Sequence, residues 1–197
     1  MSFISKAVKI NLEAVYVDKH FNLVVECKKG SKKAHYELYQ LYSKAMLNTA
    51  FRIVDNLDEA QDVLQEAFLD AFARINDFRQ ETTFGLWLKQ IVVHRAINLL
   101  RKRKMELVSI DDEQFENLAD DDFYDDDDLQ YKVNQVKEAA KLLPEGYRIV
   151  LSLYLLEGYD HEEIGQILGI NENTSRTQFL RAKRKLIEIL KQRGIIR

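Results

Sequence analysis

Apolar residues at Ala60, Val63, Leu64, Ala67, Phe68, Ala71, Phe72 and Ile75 recur at three- and four-residue spacing. That period predicts an amphipathic helix, with Asp55 or Asn56 placed to cap its start. At 100° per residue, Glu59, Asp62, Glu66 and Asp70 share one stripe away from the apolar arc, and Gln65 lies to one side. A second helix carries Trp87, Leu88, Ile91, Val92, Ala96, Ile97 and Leu100 after a polar segment over residues 79–83. It ends in Arg101, Lys102, Arg103 and Lys104. The periodicity lapses over residues 105–128 and then returns.

Beyond the lapse, a helix is expected through residues 133–143. Pro144 then stands where a first-turn proline is tolerated. Ile149, Val150, Leu153 and Leu156 supply core, and Gly158 is a natural stop. Asp160 followed three residues later by Glu163 forms a capping box. Ile164, Ile167 and Leu168 are the buried side of a short helix, and Gly169 suits a left-handed turn. Asn171 or Asn173 can cap the last helix.

The fold class expected is all-α, with two small helical domains joined by an acidic, flexible linker. The boundaries are an N-terminal extension over residues 1–23, a first domain over 24–104, the linker over 105–128 and a second domain over 129–197. Composition agrees: 197 residues, 46% hydrophobic, 31% charged and a single proline suit a helical protein with packed cores. The linker has no lysine or arginine and two runs of consecutive aspartate, 120–122 and 125–128, so self-repulsion should extend it. One cysteine, Cys27, excludes an internal disulfide framework and reads as a small buried hydrophobe. Lys6, Lys9, Glu13 and Asp18 interrupt any secretory core segment, and no apolar run is long enough to span a bilayer. A cytoplasmic protein without membrane insertion is expected.

A net charge of −3 does not announce nucleic acid, so the positive charge that matters is local. Four cations in succession at 101–104 exceed what capping a helix dipole needs and suit phosphates. The short helix, glycine turn and second helix of residues 160–186 form a helix-turn-helix. On its second helix, Phe179, Ala182 and Leu186 point one way, with Ser175 in line. Thr177, Leu180, Arg181 and Arg184 point the other, flanked by Arg176 and Lys183. A major groove accepts a helix with such a face, and arginine can pair bidentately with guanine.

At these residues the sequence resembles the extracytoplasmic-function (ECF) RNA polymerase sigma factors of the sigma-70 family, over roughly residues 28–191. DEAQDVLQEAFLDAF (58–72) is similar to the family's polymerase-binding segment, and TFGLWLKQIVVHRAINLLRKRK (83–104) to its promoter-melting helix. LLPEGYRIVLSLYLLEGYDHEEIGQILGINENTSRTQFLRAKRKL (142–186) resembles its C-terminal helix-turn-helix domain. Val93, His94 and Asn98 stand where the family often has Arg, Asn and Asp, and Gln178 replaces an expected Arg. The resemblance implies a protein that binds core RNA polymerase and promoter DNA, is held by an anti-sigma factor, and needs no cofactor, metal or catalytic residue. It assigns Asp62, Gln65, Glu66 and Asp70 to the polymerase. It assigns Arg79, Thr82, Thr83, Arg95, Arg101, Lys102, Arg103 and Lys104 to the minus-ten element, and Arg176, Thr177, Arg181 and Arg184 to the minus-thirty-five element. The acidic linker would enter polymerase channels built for nucleic acid.

Other classes explain less. A stand-alone helix-turn-helix regulator leaves the acidic helix and the Trp87 region without a role. A protein-only adaptor leaves the basic recognition helix idle. An enzyme lacks support: His20, His35, His94 and His161 show no metal spacing, and no phosphate loop or nucleophile motif is present.

Overall fold

The computed structural model describes residues 19–108 and 128–196. The expectations for the first part of the N-terminal extension and for most of the acidic linker lie outside these residues. Eight α-helices follow one another among them: α1 (Phe21–Lys28), α2 (Lys32–Val54), α3 (Leu57–Ala73), α4 (Phe84–Val108), α5 (Asp128–Lys141), α6 (Glu145–Leu155), α7 (His161–Leu168) and α8 (Glu172–Gln192). None is long and apolar enough to cross a membrane.

Local chemistry sets the helix ends. The Ser31 hydroxyl accepts from the Ala34 amide and starts α2. Asp55 closes α2 in the left-handed region at φ 60°, and Asn56 then caps α3 through its Oδ1, which accepts from the Glu59 amide at 3.0 Å. The two candidates for one cap thus divide the α2–α3 turn between them. Thr83 Oγ1 accepts from the Leu86 amide at the entry to α4. Pro144 sits one residue before α6, in extended backbone at ψ 140°, rather than inside its first turn. Asp160 and Glu163 complete both bonds of the predicted capping box, each 2.8 Å. Helix α4 continues to Val108, past the expected boundary at Lys104.

Helices α2, α3 and α4 pack around Leu38, Ile53, Ala60, Ala67, Phe84, Leu88 and Val92, all fully buried. An aromatic cluster of Tyr42, Phe78, Phe84 and Trp87 seals the end of this bundle where α4 begins. Cys27 is buried as expected, and burial pushes its thiol pKa up to about 11, so it is no ready nucleophile.

The second group of helices shares part of its core with the first and keeps a smaller cluster of its own. Ile149, Val150, Leu153, Tyr159, Ile164 and Ile167 join the apolar cluster of the first group, with α6 against α2 and α7 against α4. A smaller cluster, Ala139, Leu143, Leu151, Ala182, Ile189 and Leu190, holds α5 and α6 to α8. Two helical domains were the expectation and both are present; the apolar contact of the second with the core of the first is what the sequence reading did not include. The reason lies in α6, whose apolar residues are buried on both sides: Leu153 faces the shared core and Leu151 the smaller one.

Gly165 is a tight point of the helix-turn-helix. A Cβ there would lie 2.8 Å from the Ile170 carbonyl oxygen, a backbone atom of the turn that cannot swing away. Gly165→Ala is expected to destabilise the protein by about 1–3 kcal/mol, as overpacking does. An unshifted urea midpoint would show that the turn yields freely.

Candidate nucleic-acid interface

Helix α8, the second of the helix-turn-helix, presents the face the spacing predicted. Ser175 and Ala182 are fully buried, and Phe179 and Leu186 are half-buried beside them. Thr177, Leu180, Arg181, Lys183 and Arg184 are exposed. Arg176 is exposed too, but its guanidinium is bound by Glu172 one turn earlier. Thr177 donates its hydroxyl to the Asn173 carbonyl at 2.8 Å, which fixes its rotamer. Asn171 is the residue that caps α8, accepting from the Thr174 amide at 2.7 Å. Gly169 turns the chain at φ 71°.

His161 anchors α8 from α7. Its Nδ1 lies 3.0 Å from Ser175 Oγ, its ring stacks on Tyr154 at 4.5 Å, and Phe179 meets its edge. Burial lowers its pKa, Arg176 lowers it further, and Glu172 and Asp160 oppose them. The folded value is therefore below the unfolded value of about 6.5. The neutral ring's contribution is fully present above that pH and is lost as pH falls through the folded value. The urea midpoint should accordingly drop as pH falls below the unfolded value, and His161→Gln should flatten that slope. Equal slopes in the two proteins would exclude His161 as the titrating group.

Beside the start of α4, an open cavity of about 350 Å³ is lined by Asp77, Phe78, Arg79, Gln80, Glu81, Thr82, Trp87 and Gln90. It has an aromatic wall and a polar rim. Gln80 holds φ 63°, an uncommon conformation for a residue with a side chain, which turns the loop around the opening. Arg79 and Thr82 are exposed at the rim, while Thr83 is committed to capping α4.

The cations along α4 are less free than their spacing implied. Arg95 donates through Nε to Asp70 at 2.7 Å and through a terminal nitrogen to Glu66 at 2.8 Å, bridging α4 to the acidic stripe of α3. Arg101 donates to the Ile167 carbonyl at 2.9 Å. Arg103 reaches Glu145 at 2.8 Å and Glu59 at 3.4 Å. Lys102 and Lys104 are exposed. Where the family often has a polar or charged residue, Val93 is fully buried, so it cannot contact a template, whereas His94 and Asn98 are exposed.

The acidic stripe is on the surface. Asp62, Gln65 and Glu66 are exposed, and the Asp70 side chain keeps a third of its surface. One residue there escaped the periodicity reading. Leu69, seven positions after Asp62 and therefore on the same face, is 71% exposed. Its signal in the sequence is an apolar residue off the apolar arc.

Known proteins share this layout. Residues 38–106 match the family described as Sigma-70 region 2, and residues 134–186 match Sigma-70, region 4. RNA polymerase sigma factor SigV of Bacillus subtilis (strain 168) is 35% identical over 162 residues, covering 81% of this chain and 86% of that protein. The ECF RNA polymerase sigma-E factor of Escherichia coli (strain K12) is 30% identical over 170 residues, covering 82% and 88%. Among solved structures, the sigma factor RpoE in complex with the anti-sigma factor NepR from Bartonella quintana superposes with a TM-score of 0.59 at 25% identity, covering 79% of this chain and 96% of that one. Region 2 and region 4 in that order, the all-helical fold and relatives matched over most of their length place this chain among the ECF-type RNA polymerase sigma factors of the sigma-70 family.

Proposed function

We propose that this protein docks on core RNA polymerase through α3 and directs initiation at promoters read by α4 and α8. The observation that carries this is the pairing, in one chain, of an exposed acidic stripe on α3 with an exposed basic face on a capped recognition helix. Asp62, Gln65, Glu66 and Asp70 orient the docking, and Leu69 supplies an apolar anchor among them. Charged contacts of this kind set association rate and orientation, while buried apolar contacts set most of the affinity. The boundaries 24–104, 105–128 and 129–197 divide the work into polymerase binding with minus-ten melting, linkage, and minus-thirty-five reading.

Melting requires a base to leave the stack, at a cost of about a few kcal/mol. The cavity beside Trp87 offers an aromatic wall for its face, and Arg79, Gln80 and Thr82 offer polar groups for its edge. Arg95, Arg101, Lys102, Arg103 and Lys104 hold phosphates nearby, with Arg95, Arg101 and Arg103 exchanging the contacts described above for the template. On the duplex element, Arg181, Arg184 and Thr177 face the bases, and Arg176 steadies the helix start through Glu172.

The chain performs no catalysis of its own; the polymerase supplies the chemistry. It works in the cytoplasm, where polymerase and template lie. An anti-sigma protein that covers the α3 stripe would hold it inactive; the similar Bartonella quintana sigma factor RpoE is found in complex with the anti-sigma factor NepR. Runoff transcription with core polymerase on a genomic fragment library, with and without the protein, tests the whole reading. Promoter-dependent transcripts are expected only in its presence, and identical transcripts in both arms would refute it.

A further inference from the structure

The turn between α6 and α7 is clasped by the first domain. The Glu157 side chain is 3% exposed, 105 residues away in sequence from its principal partner. Arg52 of α2 donates to its Oε1 through Nε at 3.0 Å and through a terminal nitrogen at 2.5 Å, and Thr49 donates to its Oε2 at 3.2 Å. From α4, Lys89 donates to the Glu157 carbonyl at 2.6 Å and lies 5.5 Å from the centre of the Tyr159 ring. Arg148 of α6, nearly buried, donates back to the Arg52 carbonyl at 3.0 Å. A carboxylate taken out of water needs this much compensation, and losing one partner of such a pair is costly. The same seam contains a flaw: the Tyr159 hydroxyl is buried and reaches no hydrogen-bond partner among the described residues. An unsatisfied buried hydroxyl works against burial, and exposure to water would satisfy it.

This closed arrangement is too short for a promoter. Elements at minus ten and minus thirty-five are about 25 base pairs apart, on the order of 85 Å of straight duplex. Here Arg101 of α4 touches the carbonyl of Ile167 in α7. The run from Trp87 to Arg101 is about 21 Å of helix, and from the start of α8 to Arg184 about 18 Å. Even laid end to end these fall well short of the span. The first domain must therefore part from the second before one molecule can read both elements, and the contacts at Glu157 must break.

We propose that Glu157, held by Arg52, Thr49 and Lys89, is the latch of a closed form unable to span a promoter, and that Tyr159 is the built-in flaw that keeps this form openable. The span argument rests on the promoter reading given above. The latch itself is a property of the free chain.

The test uses the full chain with spin labels at Lys44→Cys in α2 and Lys191→Cys in α8, both exposed, while buried Cys27 stays unlabelled. Double electron–electron resonance is recorded for the parent, Glu157→Gln and Tyr159→Phe, and each is titrated with purified core polymerase. The parent should show mainly one short distance. Glu157→Gln should raise the ratio of long to short distances about tenfold. Tyr159→Phe removes the unsatisfied hydroxyl and should move that ratio the opposite way. A parent already dominated by long distances, or distances unmoved in both variants, overturns the latch. Distances that shift as expected while polymerase binds none of the proteins leave the latch standing and sink the polymerase reading instead.

Discussion

Reversing Asp62 and Glu66 to lysine together is expected to weaken binding to core polymerase at least about a hundredfold, because like charges facing each other across an interface cost several kcal/mol. Both side chains are exposed, and among the described residues Asp62 has no ion-pair partner. Glu66 shares Arg95 with Asp70, so its replacement leaves that guanidinium one partner and the α3–α4 packing intact. At Glu66 the lysine exchanges an exposed ion pair with Arg95 for a repulsion, a change of about 1 kcal/mol or less, so helicity should be retained and the urea midpoint should fall only slightly. Leu69→Ala should also lower affinity, through the lost anchor rather than charge. Co-purification of the double variant with core polymerase at parental levels would remove α3 from the docking surface.

The second large effect is expected on the recognition helix. Arg181→Ala and Arg184→Ala each remove an exposed cation with no partner among the described residues, so neither substitution strands a buried group. If a side chain reads a base edge, its loss costs about 1–3 kcal/mol and relaxes the preference at one promoter position. If it touches only phosphate, all promoters weaken alike and the salt slope falls by about 0.9. Transcription from a set of single-base promoter variants at two salt concentrations separates the two roles. Unchanged transcription from every promoter in both variants would mean that another face of the domain meets the duplex. Arg176 should matter less for base preference, since Glu172 already holds its guanidinium.

Much of this fold is legible in periodicity and caps. The buried residues of α3 are those of the three-four pattern, apart from the half-buried Phe72. The capping box at Asp160, the left-handed Gly169 and the split faces of α8 all follow from local chemistry that the sequence carries within a few residues. What local reading could not supply is pairing at long range. Glu157 appears in the sequence as one acid in an apolar stretch, and Arg52 as one cation near a helix end. Only the packed chain brings them together across 105 positions. The same limit explains Arg95, Arg101 and Arg103. Spacing shows that they are cations on a helix but cannot show that Asp70, the Ile167 carbonyl and Glu145 hold them.

Arg95 has a thermodynamic corollary. Its guanidinium lies between the carboxylates proposed to meet the polymerase and the helix proposed to meet the template. A positively charged partner that takes Glu66 and Asp70 releases Arg95 toward nucleic acid. By reciprocity, nucleic acid that takes Arg95 exposes those carboxylates to the partner by the same factor. The two affinities are then coupled through one side chain, without any change in backbone.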